Sequence, residues 1–144
     1  MMRVFVDTNV FFSACYSESG ASFELLQQSL QGNVLLVISS FVLEETARNL
    51  AAKSPEDLQW FEDYKADIAF EIVDPTSAEV LAAASYTELK DAPIVAAAKH
   101  AQVDFLVSHD RRHLVGVAAV SAGSGLAIVL PEELLRLIRQ EQQS

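Results

Sequence analysis

The sequence predicts an α/β protein: a three-layer α/β/α sandwich built on a mostly parallel sheet of about five strands. Two observations carry that expectation. Short apolar, β-rich runs recur along the 144 residues, at positions 3–6, 34–38, 70–73, 105–107 and 126–129. Between them lie longer stretches whose apolar residues repeat every three or four positions, the helical period. Strands that alternate with helices are joined by right-handed crossovers, and these make the sheet parallel and cover both of its faces.

Positions 3–6 (RVFV) are too few and too β-rich for a helix, so they read as a buried strand ending at Asp7, with a loop after it. Phe23, Leu26 and Leu30 recur at helical spacing, and Gly32 stops that helix. The run VLLVI at 34–38 is the second strand. Ser39 or Ser40 caps the next helix, whose apolar face carries Val42, Leu43, Ala47 and Leu50, and Ser54-Pro55 ends it. Pro55 then occupies the first turn of another helix, with Leu58, Phe61, Tyr64 and Ile68 in register to about Ala69. Positions 70–73 form the third strand. A helix capped by Thr76 or Ser77 follows within 75–89 and breaks near Lys90. Asp91 caps the helix over 92–102, which has Pro93 in its first turn and a run of alanines suited to close packing. Positions 105–107 are the fourth strand, 118–125 a loop, 126–129 the fifth strand and 131–139 a closing helix, with 141–144 a frayed polar tail.

At this length the chain fits one domain over 1–144, and 51% hydrophobic with 21% charged residues gives it enough apolar surface for a core. No apolar run approaches the ~20 residues of a membrane span. The N-terminus reaches Asp7 before a signal-peptide core can form, and the lone Cys15 has no internal disulfide partner, so the expected location is the cytoplasm. The net charge of -10, from 20 acidic and 10 basic side chains, argues against an indiscriminate nucleic-acid binder, whose affinity would come from clustered Lys and Arg.

Asp7 follows the first strand directly, and the carboxyl ends of strands are where open α/β sheets gather ligands. Asp110 stands in the same relation to the fourth strand, and Asp91 opens the helix that leads into it. Each also has a plain structural reading, as an Asx turn or a helix cap. One turn into the helix after the second strand stand Glu44 and Glu45, of which only one can face this edge, because neighbours on a helix point about 100° apart. Glu45 shares a face with Val42 and Asn49, whereas Glu44 aligns with Ser40, Phe41 and Arg48, which favours Glu45 and leaves Glu44 as its rival. Carboxylates gathered at one edge repel unless cations neutralise them or their pKa values rise. Oxygen donors without a Cys/His cluster suit Mg²⁺ or Mn²⁺, ions able to promote phosphodiester cleavage.

The segments VDTNVFFSA, ISSFVLEETARNL and DAPIVAAAKHAQVDFLVSHDRRHL resemble, in order, the three signatures of the PIN-domain family. The resemblance runs from the start of the chain to beyond Asp110. It implies an α/β/α fold and a metal-dependent ribonuclease with Asp7, Glu45, Asp91 and Asp110 as its acidic quartet around Mg²⁺ or Mn²⁺, and so prefers Glu45 over Glu44. It further implies an RNA substrate, an antitoxin partner where a member is a toxin of a toxin–antitoxin pair, and a homodimer. Asn9, Ser39 and Ser108 match polar positions beside the quartet, Ser108 as an orienting hydroxyl. Asp104 matches a commonly acidic position and reads equally well as a turn residue before a strand. His113 matches a polar position in some members and reads more simply as a surface-loop histidine.

Lys90, Lys99, Arg48, Arg111 and Arg112 are candidate phosphate contacts, each also readable as solvated surface charge. Trp60, Phe61 and Tyr64 lie at helical spacing, where core packing is the default over stacking bases or seating an antitoxin helix. A haloacid-dehalogenase-like phosphotransferase would need a second Asp where Asn9 stands, and a response-regulator receiver would need paired acids near the first strand. The remaining alternative is a PIN-like protein that keeps its carboxylates but binds a protein or RNA without cutting.

Overall fold

The computed structural model describes all residues 1–144. Its five strands, β1 (Arg3–Val6), β2 (Leu35–Ile38), β3 (Glu71–Ile72), β4 (Phe105–Val107) and β5 (Ile128–Val129), form one parallel sheet in the order β3-β2-β1-β4-β5. Val4, Phe5 and Val6 of β1 are fully buried, as a central strand covered on both faces requires.

The helices are α1 (Thr8–Tyr16), α2 (Ala21–Leu30), α3 (Ser40–Lys53), α4 (Leu58–Asp67), α5 (Ser77–Ala83), α6 (Ala92–Ala101), α7 (Ala118–Ser124) and α8 (Pro131–Gln143). Packing of α1 against α2, α3 and α4, and of α2 against α8, makes one outer layer; α5 and α7 pack on α6 to make the other. This is the expected α/β/α sandwich. The layers share a core of 36 buried apolar residues.

Several expected elements differ in detail. The segment after Asp7 is helix, not loop: Asp7 adopts extended backbone at the N-cap and accepts the Thr8 N–H on its side chain, and Val10, Phe11, Ala14 and Cys15 bury one face of α1. Positions 118–125, expected as a loop, form α7, closed by Gly125 in the left-handed conformation. Gly123 there is a close-approach position, since a Cβ on it would collide with the Tyr86 ring. The strands are shorter than expected at β2, β3 and β5; α5 fills only part of 75–89; and α8 continues through the expected frayed tail to Gln143. Pro55–Asp57 is a 3-10 turn ahead of α4. Thr76, not Ser77, caps α5, in a capping box with Glu79.

No helix is long and apolar enough to cross a membrane. At the amino-terminal edge of the sheet, Arg3 of β1 donates to Glu71 at 2.7 Å and to the carbonyl of Ala101 at 2.7 Å, fastening β3 and the end of α6 to the central strand.

Candidate metal centre

The order of the strands reverses between β1 and β4, which leaves a crevice outside their carboxyl ends. Register then decides what meets there. Val6 pairs with Val107, so the next residues, Asp7 and Ser108, leave the sheet side by side. The Asp7 N–H still bonds the Val107 carbonyl at 3.1 Å and the Ser108 N–H bonds Val129 at 3.0 Å, which fixes both backbones.

Asp7 is buried, with only 4% of its surface exposed. Its Oδ1 accepts the Thr8 N–H at 2.7 Å and its Oδ2 accepts the Ser108 hydroxyl at 2.6 Å. Burial pushes its pKa up to about 6, against the lowering effect of those two bonds, and the charges of Asp91 and Glu45 push the same way as burial. Ser108 is fully buried, and its Oγ also accepts from the Asn9 side chain at 3.3 Å and from the Asp110 N–H at 3.0 Å. The Asn9 carbonyl oxygen in turn accepts the His109 N–H at 3.1 Å, so Asn9 ties α1 to the loop after β4.

Asp110 accepts the N–H groups of Arg112 and His113 on Oδ1 at 3.0 and 2.9 Å. Its Oδ2 lies 3.3 Å from His113 Nδ1 and 3.9 Å from Lys90 Nζ. Burial alone would raise its pKa, but the bonds from His113 and the positive charges nearby outweigh burial and hold it below the ordinary carboxylate value.

Asp91 occupies the N-cap position of α6, and its carbonyl accepts from Ile94 and Val95. The expected side-chain cap is absent. Only 7% of Asp91 is exposed, yet its Oδ2 is buried without a hydrogen-bond partner. Burial raises its pKa, with Asp110 and Glu88 adding to burial and Lys90 and His113 opposing it. A buried carboxylate oxygen with no donor is costly, so the position implies a counter-charge.

Asp7, Glu45, Asp91 and Asp110 all line one cleft of about 270 Å³, with Asn9, Asn49, Lys53 and Lys90. Glu45, Asn49 and Lys53 follow one another at four-residue intervals on α3, so one helix face supplies all three, while Glu44 is exposed. Asp91 and Asp110 of the cleft, with His113 beside it, each present an atom within 4.8 Å of the others, a spacing that can hold a metal ion. Oxygen donors, an unpartnered buried carboxylate oxygen and mutual repulsion together fit a hard divalent cation.

Two expected neighbours fall elsewhere. Ser39 is buried at the end of β2 and spends its hydroxyl on capping α3, accepting from Val42 N at 3.2 Å. Asp104 lies at the opposite edge of the sheet, where its carboxylate accepts the Arg3 N–H at 2.8 Å, so the turn reading describes it. Arg48, Lys99, Arg111 and Arg112 are exposed and outside the cleft, leaving Lys90 as the one candidate phosphate contact that lines it. Phe61 and Tyr64 are buried against Phe11, with Phe11 and Phe61 ring centroids 5.2 Å apart.

Reading the residues alone missed Lys53, Phe12 and the role of His113. Lys53 carried a usable signal, eight residues beyond Glu45 on one helix. The proximity of His113 to Asp91 depends on how the 108–117 loop folds back, which spacing does not encode.

A family model for the PIN domain matches residues 3–112, well over half of the chain. No curated protein matches. Among solved structures, PAE2754 from Pyrobaculum aerophilum is 17% identical, with a TM-score of 0.68 over 96% of this chain and 90% of that one. VapBC2 from Rickettsia felis, solved bound to a promoter DNA fragment, is 16% identical, with a TM-score of 0.62 over 90% of this chain and 98% of that one. FitAcB from Neisseria gonorrhoeae is 18% identical, with a TM-score of 0.59 over 90% and 98%. At such identities the structural likeness establishes the fold.

Proposed function

Since the chain belongs to the PIN-domain family, we propose that it is a metal-dependent endoribonuclease, a single catalytic domain acting in the cytoplasm as the toxin of a toxin–antitoxin pair. The observation that carries this reading is the gathering of Asp7, Glu45, Asp91 and Asp110 around one cleft, with a buried oxygen of Asp91 lacking any partner.

In this reading the four carboxylates hold the cation. When bound, Mg²⁺ or Mn²⁺ supplies the positive charge that a phosphodiester needs for attack by water and departure of the leaving oxygen. The remaining residues position and neutralise. Ser108 holds Asp7 Oδ2 in place, and Asn9 holds Ser108. Lys53 and Lys90 give the cleft two cations of its own to meet a phosphate, which lets a chain of net charge -10 accept an anionic substrate locally.

The toxin reading draws on similar solved structures, which include a toxin–antitoxin complex from Klebsiella pneumoniae. It draws also on a groove of about 340 Å³ where Phe23, Leu30 and Trp60 stand with the acids Glu18, Asp63 and Asp67, a seat suited to a basic amphipathic helix. In the same reading the chain pairs as a homodimer, which light scattering on the purified protein tests.

The deciding experiment is cleavage of a panel of single-stranded RNAs with Mg²⁺ or Mn²⁺. Cutting that stops with chelator and is lost in Asp7→Asn and Asp91→Asn supports the nuclease. Folded protein that cuts no RNA under any metal, yet retains one in a binding assay, would make it a binding module instead.

A further inference from the structure

One face of α1 is not used by the carboxylate cluster. Phe12 lines the cleft beside Asp7 and Glu45, and Tyr16, one turn further along, stacks on it with ring centroids 5.8 Å apart and an interplanar angle of 13°. Tyr16 is the last residue of α1 and is 62% exposed, while Phe12 packs against the core. The Lys53 ammonium lies 5.8 Å from the centre of the Phe12 ring and lines the same cleft. The result is a continuous aromatic surface that starts at the acidic centre and ends in solvent, with a cation at its inner end.

We propose that Tyr16, Phe12 and Lys53 form a base-stacking subsite that holds a nucleotide of a single-stranded RNA as the strand leaves the acidic cleft. This rests on the nuclease reading of the cleft and names a part of its substrate binding which the carboxylates do not provide.

Three considerations lead to it. A protein with twice as many acidic as basic residues cannot hold RNA by charge alone, and stacking on an aromatic face is independent of net charge. The Phe12 ring already packs on Tyr16, so Tyr16 is held in orientation and a base docking on its exposed side loses little additional freedom. Asp7 to Tyr16 spans nine residues of helix, about 13 Å at 1.5 Å per residue, which puts the exposed ring outside the carboxylate cluster, where a nucleotide next to the reacting one would lie. Stacking accepts every base, so the subsite would fix the strand without reading its sequence.

The test is fluorescence anisotropy with 5′-fluorescein-labelled decaadenylate RNA and with a decamer of the same length whose central positions are abasic. Ca²⁺ replaces the cutting metal, and a gel verifies that the RNA stays intact. Tyr16→Ala is expected to weaken decaadenylate binding about ten-fold, within the range for one lost stacked base, and to leave abasic binding unchanged. Tyr16→Trp restores it. Lys53→Ala weakens both oligonucleotides and lowers the salt dependence by about one counterion. Circular dichroism of each variant controls for folding. If Tyr16→Ala binds decaadenylate as tightly as the wild type while the wild type cuts RNA with Mn²⁺, the subsite is overturned and the nuclease reading stands. If the wild type neither binds nor cuts, both fall together.

Discussion

Ser108 Oγ donates to Asp7 Oδ2 across 101 residues of sequence at 2.6 Å, and the same oxygen accepts from Asn9 and from the backbone of Asp110. One hydroxyl thus holds the carboxylate of Asp7 and the backbone of Asp110. Ser108→Ala leaves a buried Asp7 oxygen, the Asn9 amide and the Asp110 N–H without this partner. The expected loss is about 2 kcal/mol of stability, in the range for a hydrogen bond to a charged group, together with reduced cutting. Chemical denaturation of the metal-free protein and a cleavage assay measure the two effects.

The raised pKa of Asp7 makes metal-free stability depend on pH with a defined sign. An acid lifted on folding from 3.8 to about 6 takes up a proton on folding between those values. Its contribution is fully present below pH 3.8 and is lost as pH rises through about 6, a change on the order of 3 kcal/mol at about 1.36 kcal/mol per unit. Asp91 acts in the same direction, while Asp110, whose pKa is lowered, stabilises above 3.8 and loses that effect only in stronger acid. Metal-free melting temperature should therefore fall between pH 4 and 7, and Asp7→Asn should flatten the fall. A wild-type profile that rises over this interval would contradict the assignment.

Added Mn²⁺ or Mg²⁺ should reverse the trend. A cation binds deprotonated carboxylates, so the melting-temperature gain on adding Mn²⁺ should grow from pH 5 to pH 7.5 and vanish in Asp91→Asn. Thermal melts with and without metal, at both pH values, decide it.

His113→Ala removes the imidazole 3.3 Å from Asp110 Oδ2 but keeps both backbone N–H bonds to Oδ1. A partner that orients a ligand is worth 10- to 100-fold in metal affinity, and the surviving backbone bonds place the expected loss near the lower end, about ten-fold. Isothermal titration with Mn²⁺ reads it directly.

Gly123→Ala tests the packing that holds α7. The added Cβ would run into the Tyr86 ring, and overpacking of this kind costs about 1–3 kcal/mol. Urea denaturation should show a lower midpoint with an unchanged slope.

The strands and the longer helices were legible because their periodicities are carried by residues that the core buries. Val42 and Asn49 on its side of α3 favoured Glu45 over Glu44 only weakly, because only Val42 of the two is buried, and the choice rested largely on the family resemblance. The helix α1 was hidden behind Asp7-Thr8-Asn9, a sequence that reads as a turn, although Val10, Phe11, Ala14 and Cys15 carry its buried stripe. In α7 only Val120 and Ser124 are buried, too few to register as a pattern, and Gly123, one residue before its end, disguises it further. Asp91 shows a different limit. Its cap position could be read, but whether its side chain bonds the helix or remains unpartnered depends on the fold around it. Asp104 and Asp110 flank the same strand and look alike in sequence; the direction of β4 sends them to opposite edges.

Strand order also sets when the centre can exist. Asp7 and Glu45 are made early, but β1 is completed on one side by β4, and Asp91, Ser108 and Asp110 arrive with that later stretch of chain. A nascent polypeptide still on the ribosome therefore carries only Asp7 and Glu45 until residue 91 of 144 has been added, and it lacks Asp110 until residue 110. A product truncated before β4 would keep Asp7, Glu45 and Asp91 but lack Ser108 and Asp110, so order of synthesis makes this centre one of the last parts of the fold to be completed.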